Sequence, residues 1–370
     1  MRIYFDNAAS TKILNRFRED ILKVFDFYAN PSSVHAEGKK ARYEIEKVRE
    51  YISSSLNISN SKDLIFTSGA TESNNMIIKG VANFYGKGHI ITTGIEHPSV
   101  LNVCRYLETK GFELTYLKPN EDGIVTSDKV LNAIKDNTIL VCVMAVNNET
   151  GVKQPIEEIG NILKSKNIHF HSDMVQYLLK EKIDVEKLNL SSFSASFHKF
   201  HGPKGLGLAY VKNTSKIEKF MHGGSHEKNK RAGTENLQSI ILGGIVYRYM
   251  NENLSENIKY MSKISDKFLR GLKEFEGKIR LNNKENRVLN IFNIELIDKD
   301  IQYILPILDM NGVSISGGSA CQSGSLSPSY VLLEQGLSEN QAKGSIRISL
   351  SIENTEEEID RFFEILRKII

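Results

Sequence analysis

The chain has 370 residues, of which 40% are hydrophobic and 25% are charged, the proportions of an ordinary globular protein. Its 48 basic and 45 acidic residues leave a formal net charge of +3, which argues against binding of nucleic acid or a membrane surface through overall charge. At about 150 residues per domain, this length predicts two domains and a core that needs no disulfide or metal staple.

The three cysteines, Cys104, Cys142 and Cys321, are too few and too scattered for a disulfide scaffold. No pair has zinc-ligand spacing, so we expect no metal site. Residues 1–6 lack a basic start followed by an apolar stretch, and the longest apolar run, 139–146, is far shorter than the roughly 20 residues of a membrane-spanning helix. We therefore expect a cytoplasmic protein without a signal peptide or a membrane partner.

From about residue 40, helical patterns alternate with short apolar strands. The patterns predict helices over 41–56, from Ser73 onward, over 100–110 and over 156–166, and strands over 64–66, 89–93, 138–146 and 168–171. This alternation is typical of a parallel α/β sheet, in which chemistry gathers at the carboxyl ends of the strands.

After about residue 240 the alternation weakens. The patterns predict one long amphipathic helix over 242–275, a strand pair over 287–297, a helix over 300–310, a strand over 345–351 and a helix over 356–370 capped by Thr355. We therefore predict a large α/β domain from residues 13–250 and a small α+β domain from residues 1–12 and 251–370.

The segment 67–72, Thr-Ser-Gly-Ala-Thr-Glu, lies between a predicted strand and a predicted helix. Small residues let backbone N–H groups approach an anion, and a helix N-terminus favours negative charge. The pattern predicts a phosphate site to which the Thr71 hydroxyl donates, although a tight turn with a Ser/Thr cap explains the same residues equally well.

Lys199 lies between aromatic residues, after a serine-rich strand-like stretch and before a Gly-Pro-Lys-Gly turn. Most lysines are solvated surface charges, but a partly desolvated lysine has a lowered pKa and attacks carbonyl groups. This setting suits a Schiff base with pyridoxal phosphate, and Ser196 and His198 are candidates for additional phosphate contacts.

Asp173 follows a predicted strand, in the sequence His-Ser-Asp-Met-Val-Gln. A carboxylate here can pair with a protonated pyridine nitrogen, which makes the cofactor ring an electron sink. Taken alone, an aspartate that caps a helix is the simpler interpretation.

Cys321 lies in a stretch of small residues, Gly-Gly-Ser-Ala-Cys-Gln-Ser-Gly-Ser, over 317–325. A reactive thiol needs exposure and mobility, which such a composition favours. Cys104 and Cys142 fall in a helical and an apolar pattern respectively, so we expect both to be core residues.

The chain as a whole resembles the NifS/IscS-type cysteine desulfurases, which are pyridoxal-phosphate-dependent enzymes of fold type I in the class V aminotransferase superfamily. The resemblance runs from residue 4 to residue 360, with the motifs in the family's order. The motifs lie at 4–11, 30–35, 69–75, 96–100, 146–151, 198–205, 231–236, 317–325 and 327–332. The resemblance implies a large, mostly parallel-sheet α/β domain and a smaller α+β domain.

The resemblance also implies a role for each matching residue. Lys199 would bond covalently to the cofactor and shuttle protons, Asp173 would hold the pyridine nitrogen, and His97 would stack on the ring as an acid and base. Asn148 and Gln176 would contact the ring and its phenolic oxygen. The cofactor phosphate region would contact Ala70, Thr71, Ser196, His198 and, across a homodimer, Thr234. The substrate carboxylate would be bound by Arg347 and Asn30.

In such an enzyme Cys321 would attack the sulfur of bound L-cysteine, which gives alanine and a persulfide on Cys321. The sulfur would then pass to an acceptor protein, either an iron–sulfur scaffold or an enzyme that thiolates tRNA or a cofactor. The sequence departs from the family at Leu179, where glycine is usual, and at His226, where glutamine is typical.

Alternatives remain at the level of sequence. A selenocysteine lyase or a short-loop desulfurase shares most of these motifs, although the long stretch between Cys321 and Arg347 favours the long-loop kind. Another aminotransferase of the same fold would not need Cys321. A sulfur carrier or scaffold without catalysis would have no need of a Schiff-base lysine. The identity of the sulfur acceptor stays open.

Overall fold

The computed structural model describes residues 2–213, 215–283, 285–318 and 327–370. In chain order its strands are β1 (Ile3–Tyr4), β2 (Leu64–Thr67), β3 (His89–Thr93), β4 (Glu113–Leu117), β5 (Thr138–Cys142), β6 (His169–Asp173), β7 (Ser192–Ser196), β8 (Gly207–Val211), β9 (Ile279–Leu281), β10 (Ile291–Leu296), β11 (Val313–Ser314) and β12 (Ser345–Ser349). Its helices are α1 (Arg18–Lys23), α2 (Ala36–Ser55), α3 (Ala70–Tyr85), α4 (Pro98–Glu108), α5 (Ser127–Ala133), α6 (Ile156–Ser165), α7 (Leu237–Glu252), α8 (Leu254–Leu272), α9 (Ile301–Met310), α10 (Tyr330–Glu334), α11 (Glu339–Lys343) and α12 (Glu356–Ile369).

A seven-stranded sheet forms the larger part of the molecule, in the order β2-β8-β7-β6-β5-β3-β4. The strands from β7 to β4 run parallel, whereas β8 is antiparallel to both β7 and β2. Every residue of β3, β6, β7 and β8 is buried, because helices cover both faces of a parallel sheet. The predicted mostly parallel α/β sheet is confirmed.

A second core surrounds a smaller antiparallel sheet in the order β12-β10-β9. Aromatic side chains fill it, with the rings of Phe268 and Phe292 only 4.4 Å apart at their centroids. Phe5 is fully buried in this core and β1 pairs with β11, so the first residues of the chain join a core built mainly from residues after 260. On this packing we propose the division into residues 13–250 and residues 1–12 with 251–370.

The single long helix predicted over 242–275 is wrong, because the chain breaks at Asn253 into α7 and α8. Asn253 leaves the helical conformation (φ −99°, ψ 11°), and its side-chain Nδ2 donates to the Tyr249 carbonyl at 2.8 Å. The two helices also differ in burial: α7 is buried on most sides, whereas α8 buries one face at Met261, Ile264, Ser265 and Phe268.

Three further boundaries differ from the predictions. The helix expected from Ser73 begins at Ala70, and the strand pair expected over 287–297 is the single strand β10, paired with β9 and β12. The strand expected over 138–146 ends at Cys142, since the Met144 N–H turns to the Glu96 carboxyl at 2.8 Å. The final helix and its Thr355 cap are confirmed, with a reciprocal bond between Thr355 and Glu358.

Leu179 adopts a left-handed backbone conformation, with φ of 59°. This conformation costs about 1 kcal/mol for a residue with a Cβ, which explains why a glycine suits the position. The Leu179 side chain is buried in the larger core, and its burial offsets the strain.

Candidate active site

A cavity of about 210 Å³ opens where several strands of the large sheet end. Asp173 and Ser196 are the last residues of β6 and β7, and the loops after β3 and β5 supply further lining residues. The cavity brings together these predicted site residues: Ala70, Thr71, His97, Asn148, Asp173, Gln176, Ser196, His198, Lys199 and Arg347. The predicted gathering of polar groups at the carboxyl ends of the strands is confirmed.

Lys199 ends a short 3-10 turn that follows β7. Its ammonium nitrogen donates to the carbonyl of Ala8 at 2.7 Å and to that of Ala9 at 2.8 Å. Thr11 fastens the same N-terminal segment, since its backbone N–H and its hydroxyl both donate to the His198 carbonyl, at 2.8 and 2.9 Å. The first residues of the chain therefore position the Lys199 amine, a role that the sequence analysis missed.

A chain of buried hydrogen bonds holds the Asp173 carboxylate. One oxygen accepts the Val175 N–H at 3.0 Å, and the other accepts Asn74 Nδ2 at 2.9 Å. Asn74 Oδ1 in turn accepts His171 Nε2 at 2.9 Å. Burial lowers the pKa of His171 to about 3, so its ring is neutral and its proton lies on Nε2. Asn74 and His171 are positioning residues that the sequence analysis missed, although both lie inside quoted motifs.

His97 caps the start of α4, with Pro98 at the first helical position. Its Nδ1 accepts the Ser99 N–H at 3.1 Å and lies 2.8 Å from the Ser99 hydroxyl. Because Nδ1 accepts, the neutral ring carries its proton on Nε2. Burial lowers the pKa of His97, and the nearby Asp173 charge opposes this shift. The neutral ring is therefore the form that lines the cavity near neutral pH.

The N-terminus of α3 forms the anion-binding end of the cavity. Gly69 precedes the helix without a side-chain cap, and the Ala70 N–H donates to the Ser196 hydroxyl at 2.8 Å. A Cβ on Gly207 would lie 2.5 Å from the Gly69 Cα, so only glycine lets β8 approach this turn. Burial lowers the pKa of His198 to about 4, helped by the charge of Lys199. A phosphate would find helix N–H groups, hydroxyls and His198 here.

Arg347 lies on β12 at the opposite wall and is 1% exposed. Its Nη1 donates to the Asn148 carbonyl at 3.0 Å and its Nη2 to the Asp6 carboxylate at 2.7 Å. Within the described part of the chain, Arg347 Nε and Asn148 Oδ1 are buried and have no hydrogen-bond partner. Two unsatisfied polar atoms in one cavity indicate that a polar ligand belongs there.

The donor set fits pyridoxal phosphate. The cavity combines a primary amine, a carboxylate held by buried hydrogen bonds, an anion-binding helix terminus and the unsatisfied Asn148 and Arg347 atoms. These are the groups that an aldehyde, a pyridine nitrogen, a phosphate and an amino-acid carboxylate require.

Three predicted site residues do not join this cavity within one chain. Asn30 is exposed, and its side chain accepts the Ser32 N–H at 2.8 Å. Thr234 is exposed too and does not line the cavity. Cys321 lies outside the described residues. Their roles stay predictions.

The described residues on either side of Cys321 are anchored beside the cavity. Ser316 pairs with Arg347 through both backbone hydrogen bonds, of which the Arg347 N–H bond is 2.7 Å long. The Ser329 hydroxyl donates to Glu149 Oε2 at 2.5 Å, and a Cβ on Gly318 would lie 3.4 Å from the same oxygen. Glu149, in the 146–151 motif, thus bonds to a residue after the segment that carries Cys321 and lies close to the glycine before it.

The other two cysteines belong to the core, as predicted. Both thiols are buried, and burial raises the pKa of Cys104 to about 12 and the pKa of Cys142 well above its usual value. Neither is a nucleophile near neutral pH. Among the described residues, no cluster of His, Cys, Asp and Glu side chains is placed to hold a metal ion.

Glu96 is a buried carboxyl directly behind this site. One oxygen accepts the Thr93 hydroxyl at 2.9 Å and the Met144 N–H at 2.8 Å, while Oε2 is buried without a described partner. Burial raises the pKa of Glu96 to about 8, and the Asp173 charge adds to the shift. Glu96 is therefore protonated near neutral pH, and the free energy of unfolding falls as pH rises from the unfolded pKa of about 4.3 towards 8.

We predict that Glu96→Gln raises the melting temperature at pH 8, because the amide keeps both accepted hydrogen bonds and never ionises. The gain should shrink at pH 5, because the free-energy cost of protonating the wild-type carboxyl on folding becomes small as the pH approaches the unfolded pKa of about 4.3. Thermal unfolding at both pH values measures this effect, and exposed Glu50→Gln is the control. An equal change at the two pH values would show that ionisation of Glu96 does not matter.

Residues 3–362 match the family model "Aminotransferase class-V". The chain therefore belongs to the class V aminotransferase family, whose members are pyridoxal-phosphate-dependent enzymes. The relative "Cysteine desulfurase IscS" of Clostridium botulinum (strain Hall) is 42% identical, and the match covers 100% of this chain and 94% of the relative.

Solved structures give the same result. A chain described as "NIFS-LIKE PROTEIN" superposes with a TM-score of 0.93 and 35% identity, covering 100% of this chain and 99% of its own length. A structure described as "SspA in complex with cysteine" has a TM-score of 0.84 and 35% identity, covering 96% and 100% of the two chains. The predicted family, fold class, enzyme class and cofactor are confirmed.

Within the described residues no helix combines the length and apolar character needed to cross a bilayer.

Proposed function

We propose that the chain converts L-cysteine to L-alanine and transfers the sulfur to Cys321 as a persulfide, from which an acceptor protein takes it. The observation that supports this most directly is the single cavity shared by Lys199, Asp173, His97 and Arg347. The desulfurase names of the relatives support the choice of L-cysteine within the family.

Lys199 would hold the cofactor and then carry a proton. When bound, pyridoxal phosphate accepts the electron pair released at the substrate Cα. The Ala8 and Ala9 carbonyls orient the Lys199 amine, so the same nitrogen can accept and return a proton at a fixed place.

Asp173 would keep the pyridine nitrogen protonated. Its two oxygens are oriented by the Val175 N–H and by Asn74, and Asn74 is held by neutral His171. A negative charge fixed in this way stabilises the positive pyridinium, which strengthens the electron uptake of the ring. Neutral His97, which lines the same cavity, would cover the ring and exchange a proton through Nε2.

Arg347 would bind the substrate carboxylate. Its Nε has no described partner, and its Nη2 bonds to Asp6, so one edge of the guanidinium can receive a carboxylate if the Asp6 contact gives way. Ser316, five residues before Cys321, pairs with Arg347. This pairing supports delivery of the Cys321 thiolate to the substrate sulfur. The thiolate would attack that sulfur, the Cβ–S bond would break as the S–S bond forms, and the carbon skeleton would take up a proton to become alanine.

The experiment that tests this proposal is Cys321→Ala in an assay of sulfide and alanine from L-cysteine with a thiol reductant. We expect unchanged cofactor absorbance and a loss of sulfide release of at least about 10²-fold, because no other described thiol can act as the nucleophile. Cys104→Ala, which removes a buried thiol, is the matched control and should retain activity. Sulfide release that survives in Cys321→Ala would remove Cys321 from this role.

A homodimer would explain the exposed position of Thr234. The Gln238 side chain donates to the Phe27 carbonyl at 2.6 Å, which ties the start of α7 to a segment with exposed apolar side chains. Phe25 is 68% exposed and Tyr28 is 78% exposed. We propose that a second copy covers this segment and that Thr234 reaches the phosphate site of that copy, in a cytoplasmic enzyme.

A further inference from the structure

A second cavity of about 270 Å³ lies between the two hydrophobic cores. Leu179 and Met250 of the larger core line one side, and Met261 and Leu350 of the smaller core line the other. We call it the inter-core cavity. It shares no lining residue with the active-site cavity, so the proposed reaction does not account for it.

Lys180 contributes an unpaired positive charge to the inter-core cavity. Within the described residues its ammonium group has no hydrogen-bond partner and no carboxylate within ion-pair distance. Burial alone lowers the pKa of Lys180 to about 8, with no opposing acidic charge. A partly buried lysine without a counter-ion loses part of its hydration, so a ligand that supplies negative charge would stabilise it.

Arg287 lines the same cavity and is also without an acidic partner at contact distance in the described structure. Its Nη1 donates to the Val288 carbonyl at 3.0 Å, and its guanidinium lies 4.3 Å from the centre of the Phe292 ring. Its Nε is buried without a partner. Burial lowers the pKa of Arg287, and Asp266 opposes the shift only through its more distant charge. Arg287 thus keeps an unused N–H donor.

The other polar lining groups do not neutralise these cations. Asn257 Nδ2 is a third buried donor without a described partner. Glu181 is the acid in the lining, and it is paired with Lys153 at 3.0 Å. Burial lowers the pKa of His201 to about 4, and its Nδ1 donates to the Lys12 carbonyl, so its ring is neutral. Among the described residues, the Lys180 ammonium, the Arg287 Nε and the Asn257 amide nitrogen therefore remain without an acceptor.

We propose that the inter-core cavity binds a small organic anion whose oxyanion group lies among Lys180, Arg287 and Asn257. The apolar part of the ligand would pack between Met250 on one side of the cavity and Met261 on the other. A carboxylate and a phosphate offer the same oxyanion chemistry to these donors. The ligand would bridge the two cores and hold them together.

Competitive labelling of the holoenzyme with trace acetic anhydride tests the proposal on the wild-type chain. The label reacts with free amines, and peptide mass spectrometry reports Lys180 and its exposed neighbour Lys182 separately. Isovalerate and inorganic phosphate are the probes, each compared with chloride at the same ionic strength. A bound anion that raises the pKa of Lys180 by about one unit lowers its labelling about tenfold and leaves Lys182 unchanged.

Each outcome decides the proposal. Protection by isovalerate alone identifies a carboxylate ligand, and protection by phosphate alone identifies a phosphate ligand. Arg287→Gln should abolish the protection, whereas exposed Arg270→Gln should keep it. Unchanged labelling of Lys180 with both probes, an equal effect of chloride, or full protection in a folded Arg287→Gln variant overturns the proposal. The wild-type measurement stands even if that variant does not fold.

Discussion

Lys199→Ala is expected to abolish the conversion of L-cysteine to alanine, with a loss of at least about 10³-fold. In the proposed mechanism, the variant would lose both the covalent attachment of the cofactor and the amine that carries the proton at Cα. The Ala8 and Ala9 carbonyls, which accept hydrogen bonds from this amine at 2.7 and 2.8 Å, cannot replace it, because they have no proton to give. Alanine formation and the visible absorption of the reconstituted protein measure the effect.

The matched control for this prediction is Lys204→Ala. Lys204 lies five residues further along the same turn region and is exposed, so its removal tests the loss of a positive charge near the site without loss of the reacting amine. We expect Lys204→Ala to keep the cofactor spectrum and most of the activity. Wild-type alanine formation by Lys199→Ala would contradict the assignment of Lys199.

Asp173→Asn is expected to lower kcat by about 10²- to 10³-fold while the cofactor still binds. The amide preserves the size of the side chain and keeps one oxygen that can accept the Val175 N–H, but its NH2 group can neither accept the Asn74 Nδ2 hydrogen bond nor hold the pyridine nitrogen in its protonated form. The loss should therefore fall on kcat rather than on KM for L-cysteine. Steady-state kinetics with saturating cofactor separates the two quantities.

Asn74→Ala distinguishes positioning from chemistry at this carboxylate. It removes the amide that joins Asp173 to His171 and leaves the charge of Asp173 in place, so its effect on kcat should be smaller than that of Asp173→Asn. Asp136→Asn, at an exposed aspartate, is the control for a change of net charge. An Asp173→Asn enzyme with wild-type kcat would exclude the carboxylate from electron uptake by the ring.

The sequence by itself determined the family, the cofactor and the side chains that meet in the active-site cavity. Motifs carry this information because the chemistry requires particular groups, such as the Lys199 amine and the Asp173 carboxylate, at fixed places after strands. Local signals were also sufficient for the final helix, since Thr355 and Glu358 cap it from three residues apart.

Tertiary structure alone decided the features that depend on residues far apart in the chain. The Lys199 amine bonds to the Ala9 carbonyl, 190 residues away, and Asp173 bonds to Asn74, 99 residues away. The break at Asn253 follows from the different burial of α7 and α8, which one helical pattern cannot show. The inter-core cavity arises in the same way, because Lys180 and Arg287 come to line one cavity only when the two cores pack together.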